Sequence, residues 1–215
     1  MTLAFAAFTR RGEDLARRLA EQFGGSVTRI DKENPLPVWT AQQFSEKEGL
    51  VFVGAVGIAV RAIAPHLRHK TTDPAVVAVD EGGRFAIPLV SGHLGGANAL
   101  AQAIAACLGA IPVITTATDG RGLFAVDSWA NAQGCLVKEP ERIKWVSSKV
   151  LDGKPIQLRC PWPISGEKPE EVSLTEEEAC DAAVTLYQEE NTALHLLPKA
   201  LTLGVGCRKG TSQAA

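Results

Sequence analysis

One methionine and one tyrosine in 215 residues leave no Met-rich or tyrosine-rich surface from which a function could be read. Neither charge is in surplus. With 22 Lys+Arg against 24 Asp+Glu the formal charge is −2, which excludes bulk attraction to nucleic acid. Cys107, Cys135, Cys160, Cys180 and Cys207 are odd in number and form no C-x-x-C pair, so neither a disulfide framework nor a zinc ribbon is indicated. A reducing compartment suits them. Long hydrophobic runs are also missing. The apolar run at 3–8 is short, with its basic residues after it rather than before it. Residues 97–114 are interrupted by Gly109 and Pro112, short of the roughly 18–20 apolar residues of a membrane span. A cytoplasmic protein that engages neither membrane nor nucleic acid is expected. Neither G-x-G-x-x-G nor G-x-x-x-x-G-K-[ST] occurs, so the fingerprints of dinucleotide and P-loop sites are absent.

What is present is an apolar chain. Glycine added to the 46% hydrophobic residues brings the share to roughly 55%, above the usual 45–50%, and disorder is excluded. Residues 3–8 read as a strand; Leu15, Leu19, Ala20 and Phe23 then recur at helical spacing until Gly24 and Gly25. Residues 27–30 alternate like a strand, Pro35 and Pro37 predict a break, and LVFVG (50–54) reads as a strand buried on both faces, hence in a parallel sheet. IAVRAIA (58–64) predicts a helix that Pro65 ends. Residues 76–90 predict a β-hairpin turning at Asp80-Glu81-Gly82-Gly83. A helix carrying Leu100, Ile104, Cys107 and Leu108 on one stripe follows, closed by Gly109, and then the strand IPVIT. Residues 1–120 thus predict an α/β domain with a mainly parallel sheet and a hairpin.

A second small α/β domain is expected over 121–198. Its helices would lie at 123–134, with Phe124, Asp127 and Ala130 sharing one face, and at 140–151, with Ile143, Val146 and Val150; strands are expected at 135–138, 156–160 and 193–198. Nine acids and one lysine fall within 165–191, the pattern of a solvated loop and helix face. The remainder, residues 1–164, then holds 18 basic and 15 acidic side chains. No acid occurs in 49–72, where Arg61, His66, Arg68, His69 and Lys70 cluster, either as a field for an anionic ligand or as cations at a helix C-terminus.

Two glycine-rich segments stand where a strand hands over to a helix, GAVG (54–57) and SGHLGG (91–96). Each serves either as an anion site made of backbone N–H groups or as a tight turn. His93, between Gly92 and Gly95, is a candidate general base or donor placed where α/β sheets gather ligands, or a histidine that caps the loop. Ser91 reads as a helix cap rather than a nucleophile, because S-G-H is not the G-x-S-x-G elbow. TTATD (115–119) brings Thr115, Thr116 and Asp119 to a strand end. Asp119, Asp73 and the pair Asp80-Glu81 serve either a cleft or their own turns.

The run 54–119, with its V-G-I-A-V-R, D-P-A-V-V, S-G-H-x-G-G-A-N and I-T-T-A-T-D segments, resembles the N-terminal domain of the CbiG family of cobalamin biosynthesis, the cobalt-precorrin-5A hydrolases. Residues 121–198 resemble the family's middle region. LTLGVGCRKGTS (201–212) resembles the opening of its C-terminal domain, so 199–215 is expected to begin a truncated third domain in a fragment of a longer protein. The resemblance implies an enzyme of the anaerobic route to vitamin B12. It would hydrolyse the ring A δ-lactone of cobalt-precorrin-5A and release acetaldehyde, giving cobalt-precorrin-5B, with no cofactor or metal of its own because the cobalt belongs to the substrate. For such a polycarboxylate, Arg61, Lys70 and Arg84 are expected to bind the acid arms, with Gly54, Gly57, Ser91, Gly92, Gly95, Gly96, Asn98, Thr115 and Thr116 lining the site. His93 would act as base or polarise the lactone, Gly95 and Gly96 N–H would hold the oxyanion, and Asp119 or Glu81 would orient the base. A non-catalytic tetrapyrrole-binding or carrier module is the alternative, and a homo-oligomer is left open.

Overall fold

A computed structural model describes residues 1–199. The expected start of a third domain, with Gly204, Gly206 and Cys207, lies outside the described residues. Strands β1 (Leu3–Ala7), β3 (Gly49–Val53) and β4 (Ala75–Val79) are buried along their whole length and run parallel, with β2 (Ser26–Arg29) at the edge beside β1. The alternation of their side chains explains the burial. Leu3, Phe5, Val51, Val53, Val77 and Val79 face α1 (Arg10–Phe23) and α4 (Ala97–Leu108). Ala4, Ala6, Leu50, Phe52 and Val76 face α2 (Leu36–Glu46) and α3 (Val56–Ile63), where Trp39 meets Phe52 edge-on at 5.6 Å. Each fully buried Leu or Phe of these layers stabilises by about 1.5–3 kcal/mol, so the two-sided sheet outweighs local propensity.

Local chemistry sets the boundaries. Thr9 caps α1, its Oγ1 accepting the Gly12 N–H at 3.0 Å. The break expected at Pro35 and Pro37 is instead the start of α2. Pro35 precedes the helix and Pro37 lies in its first turn, where a missing N–H forfeits no intrahelical bond. On α4, Leu100 and Ile104 are buried as expected, but Cys107 is exposed, because the buried face is completed by Ala97, Ala101 and Ala105.

The hairpin forms as the sequence predicts. Asp80 Oδ1 accepts the N–H groups of Arg84 and Phe85, both at 2.7 Å, and β5 (Phe85–Val90) pairs antiparallel with β4. Of the strand expected at 111–115, two residues pair, as β6 (Ile111–Pro112), parallel to β5. The sheet order is β2-β1-β3-β4-β5-β6, and its last two strands run opposite to the first four. The segments that leave β5 and β6 therefore emerge where β1, β3 and β4 begin. The Met1 side chain lies against both Gly49, at the start of β3, and Gly96.

Residues beyond the first sheet pass through α5 (Ala117–Gly120) and α6 (Val126–Ala132) into a five-stranded sheet. Its strands are β7 (Cys135–Val137), β8 (Ile156–Arg159), β9 (Val172–Leu174), β10 (Ala182–Val184) and β11 (Leu194–Pro198), ordered β7-β11-β10-β8-β9 and parallel except for β7. Helix α7 (Ile143–Leu151) contributes Ile143, Val146 and Val150 to its core. The acidic stretch 165–191 holds two of these strands and no helix. Three of its acids are structural: Glu171 accepts the Phe124 N–H, Asp181 binds Lys149 Nζ and the Gln157 N–H, and Glu189 pairs with Arg159. Among the described residues no helix is long and apolar enough to cross a membrane.

Candidate functional site

Because β5 reverses the chain, the two glycine-rich segments stand at opposite ends of the first sheet. Gly54 and Gly57 follow β3, at the end that also holds the Asp80–Arg84 turn, while residues 91–96 and 115–119 meet at the other end. Glu81 therefore belongs to a turn remote from His93 and cannot orient it, a correction to the sequence reading. Arg84 is likewise engaged there, its Nε 3.3 Å from Asp80 Oδ2 and its guanidinium over the Phe85 ring. His93, for its part, follows the carboxyl end of β5 but sits at the amino ends, not the carboxyl ends, of β1, β3 and β4.

Residues 91–96 fold back on themselves. Ser91 takes a left-handed φ of 56° and its Oγ donates to the Asp73 carbonyl at 2.8 Å, so it does not cap α4, and toward the cleft it lines its hydroxyl oxygen is left as an acceptor. A Cβ on Gly92 would stand 2.8 Å from Asn98 Oδ1, and one on Gly95 would stand 2.4 Å from Ser91 Cβ. Close packing is thus what these glycines serve. Gly96 N–H donates to the His93 carbonyl at 3.0 Å, and the N–H groups of Ala97 and Asn98 donate to Ser91 and Gly92. These three N–H groups are committed within the loop, so Gly96 does not present the oxyanion donor expected of it. At the other junction, a Cβ on Gly54 would meet the Phe8 ring at 2.7 Å.

This loop holds His93 between two carboxylates. Nε2 lies 2.6 Å from Asp119 Oδ2, and Nδ1 lies 3.2 Å from both oxygens of Asp127 on α6. The three side chains are 17%, 26% and 8% exposed, so the cluster is largely withdrawn from water. The hydrogen bond to Asp127 is the largest influence on His93. Burial opposes it, Asp119 reinforces it, and the imidazole pKa rises from 6.5 to about 9. Near neutrality His93 is an imidazolium with both N–H groups donating. It has no lone pair with which to act as the expected general base, and donation or polarisation remains.

Asp119 is fixed from three directions. Asn98 Nδ2 donates to its Oδ2 at 2.8 Å, and Thr116 Oγ1 and His93 bind the same oxygen. Burial pushes its pKa up, but the hydrogen bonds from Thr116, His93 and Asn98 hold it below the usual carboxylate value. Its Oδ1 makes no hydrogen bond among the described residues. Thr115 is exposed beside this group, and Arg61 is exposed on α3.

A cleft of about 300 Å³ opens on His93. Lys70, Gly92, His93 and Thr116 line it from one side, Asp127, Lys144 and Ser147 from the second sheet's helices. Sequence reasoning missed Asp127 as a partner, although an acid sharing a face with Phe124 and Ala130 signals a buried charge in need of a counterion. Lys144 and Ser147 carry no such signal. No set of three or more His, Cys, Asp or Glu among the described residues is placed to hold a metal.

Two α/β layers joined through a buried His–Asp pair define a two-part α/β protein whose candidate site lies between its sheets. Residues 38–119 match the N-terminal region of cobalamin synthesis protein G and residues 124–198 match the cobalamin biosynthesis central region, so the chain belongs to the CbiG family. Cobalt-precorrin-5A hydrolase of Priestia megaterium is 31% identical over 98% of this chain and 66% of its own length. The enzyme of that name from Salmonella typhimurium is 44% identical over 60% of this chain and 39% of its own length. A crystal structure of a protein described as a cobalamin biosynthesis protein G homolog from Sulfolobus solfataricus shares the fold, with a TM-score of 0.57 at 20% identity over 92% of this chain and 60% of that one. The chain thus spans 66% or less of the length of each.

Proposed function

We propose that this chain carries the hydrolytic site of a cobalt-precorrin-5A hydrolase, which opens the ring A lactone and releases acetaldehyde. The observation that carries the reading is the imidazolium of His93, held by two carboxylates at the floor of a cleft, in a chain related to enzymes of that name. A buried cation aimed at a carbonyl stabilises the oxyanion that forms when water adds. Water attacks the lactone carbonyl and Asp119 Oδ1 takes its proton. The carbonyl oxygen gains negative charge beside the His93 imidazolium, whose field stabilises it while its two N–H groups stay with Asp119 and Asp127, and collapse breaks the ring C–O bond to give a carboxylate and a carbinol. Loss of the carbinol proton then breaks the carbon–carbon bond. Acetaldehyde departs, and the electron pair left on the macrocycle accepts a proton. Lactone and water are consumed and acetaldehyde and the acid form, so the step needs no oxidant.

Lys70 faces the same cleft and would take one acid arm of the substrate. Cobalt would arrive within the substrate, and the reading requires no resident cofactor. A biosynthetic step of this kind belongs in the cytoplasm. Incubation of the chain with cobalt-precorrin-5A, with acetaldehyde followed by NADH oxidation through alcohol dehydrogenase, tests the proposal. One equivalent of acetaldehyde per macrocycle is expected; binding of the substrate without release would instead mark a carrier.

A further inference from the structure

Helix α7 lies on the side of the cleft that the first sheet does not supply. Lys144 lines the cleft with an exposed ammonium that makes no ion pair among the described residues, and Ser147, one turn further on, shares that wall. Lys149, on the same helix, is by contrast committed to Asp181 at 2.6 Å. Trp145 is 56% exposed, and Lys144 Nζ stands 6.0 Å from its ring centroid. An indole this exposed contributes little by burial, and the core stripe of the helix is carried by Ile143, Val146 and Val150. The cleft is also small. About 300 Å³ is the lower limit of sites that hold a drug-sized ligand, so a macrocycle enters by one edge and leaves its face outside, against the rim.

We infer that α7 is the second wall of the substrate site, with Lys144 binding a peripheral carboxylate of the macrocycle and Trp145 offering its ring to the face that stays outside the cleft. This rests on the hydrolase reading and assigns the central region a direct part in recognition. Lys70, from the turn before β4, and Lys144, from α7, would then hold two acid arms while the edge between them meets His93. Both cations are exposed, so their contribution is one of affinity and is screened by salt.

The test compares the chain with K144Q, K144R and W145A, measuring kcat and KM for acetaldehyde release and the Kd for cobalt-precorrin-5A at two ionic strengths. K144Q is expected to raise KM and Kd about fivefold, with kcat within about twofold and a weaker salt dependence of Kd. K144R is expected to restore most of the affinity, and W145A to raise Kd by a similar factor without changing its salt dependence. Unchanged KM and Kd in K144Q, in a chain that binds and turns over substrate, would overturn this inference and leave the hydrolase reading standing. Failure of the parent chain to bind the substrate at all would overturn both.

Discussion

His93→Gln is expected to lower the rate of acetaldehyde release by about 10²–10⁴-fold, the range typical of a lost proton-transferring or oxyanion-stabilising group. Glutamine keeps an N–H donor and approximates the size of imidazole but cannot carry its charge, so the loss reports the cation rather than the shape. The substitution also leaves Asp127, 8% exposed, without a counterion. Stripping a buried carboxylate of its partner costs about 1–3 kcal/mol or more, and a lower Tm should accompany the lost rate. Rates are therefore compared at a temperature where circular dichroism shows both proteins folded. Release within twofold of the parent rate would remove His93 from the chemistry. The more exposed Asp119 offers a contrast, since Asp119→Asn keeps the His93 contact in shape while removing the base.

The second large effect is on stability and its dependence on pH. His93 is raised from 6.5 to about 9 in the folded protein, chiefly through Asp127. A group with a raised folded pKa stabilises fully below its unfolded pKa, and that contribution disappears as pH rises through the folded value. The difference corresponds to about 3 kcal/mol, present below pH 6.5, declining between there and pH 9, and gone above. Asp127→Asn removes the largest cause. Chemical denaturation is expected to show the variant about 2 kcal/mol less stable than the parent at pH 6, with the two curves converging toward pH 10. Catalysis in the parent should also fail on the alkaline side near pH 9, and at lower pH in the variant. Parallel stability curves would mean that His93 is not charged where the structure places it.

The fold was legible wherever burial on two faces dictates composition. LVFVG, the hairpin residues and the helix closed by Gly109 speak through continuous apolar runs and turn residues. Helix α2 was not legible, because Pro37 reads as a break unless the first turn is known to begin there. The three-residue strands β9 and β10 are too short to show a period and stand among acids whose partners come from other elements, Lys149 from α7 and Gln157 and Arg159 from β8.

The site divides in the same way. His93, Asn98, Thr116 and Asp119 are recognisable from their motifs, and they do meet. What local sequence hides is direction. The hairpin is readable, but its effect, to deliver residues 91–96 to the amino ends of β1, β3 and β4 and away from Glu81, Arg84 and Gly54, follows only from strand order. The base role assigned to His93 fails for a related reason: two carboxylates, from segments 26 and 34 residues away, turn a neutral imidazole into a cation.

The proposed chemistry depends on His93 being a cation that both carboxylates hold. With four histidines in the chain, ¹⁵N-histidine NMR resolves its ring, and the His93→Gln spectrum assigns the signals by their loss. At pH 7.5 both ring nitrogens of His93 should carry protons, and the titration midpoint should fall near 9. A midpoint near 6.5, with one nitrogen unprotonated at pH 7.5, would contradict the account.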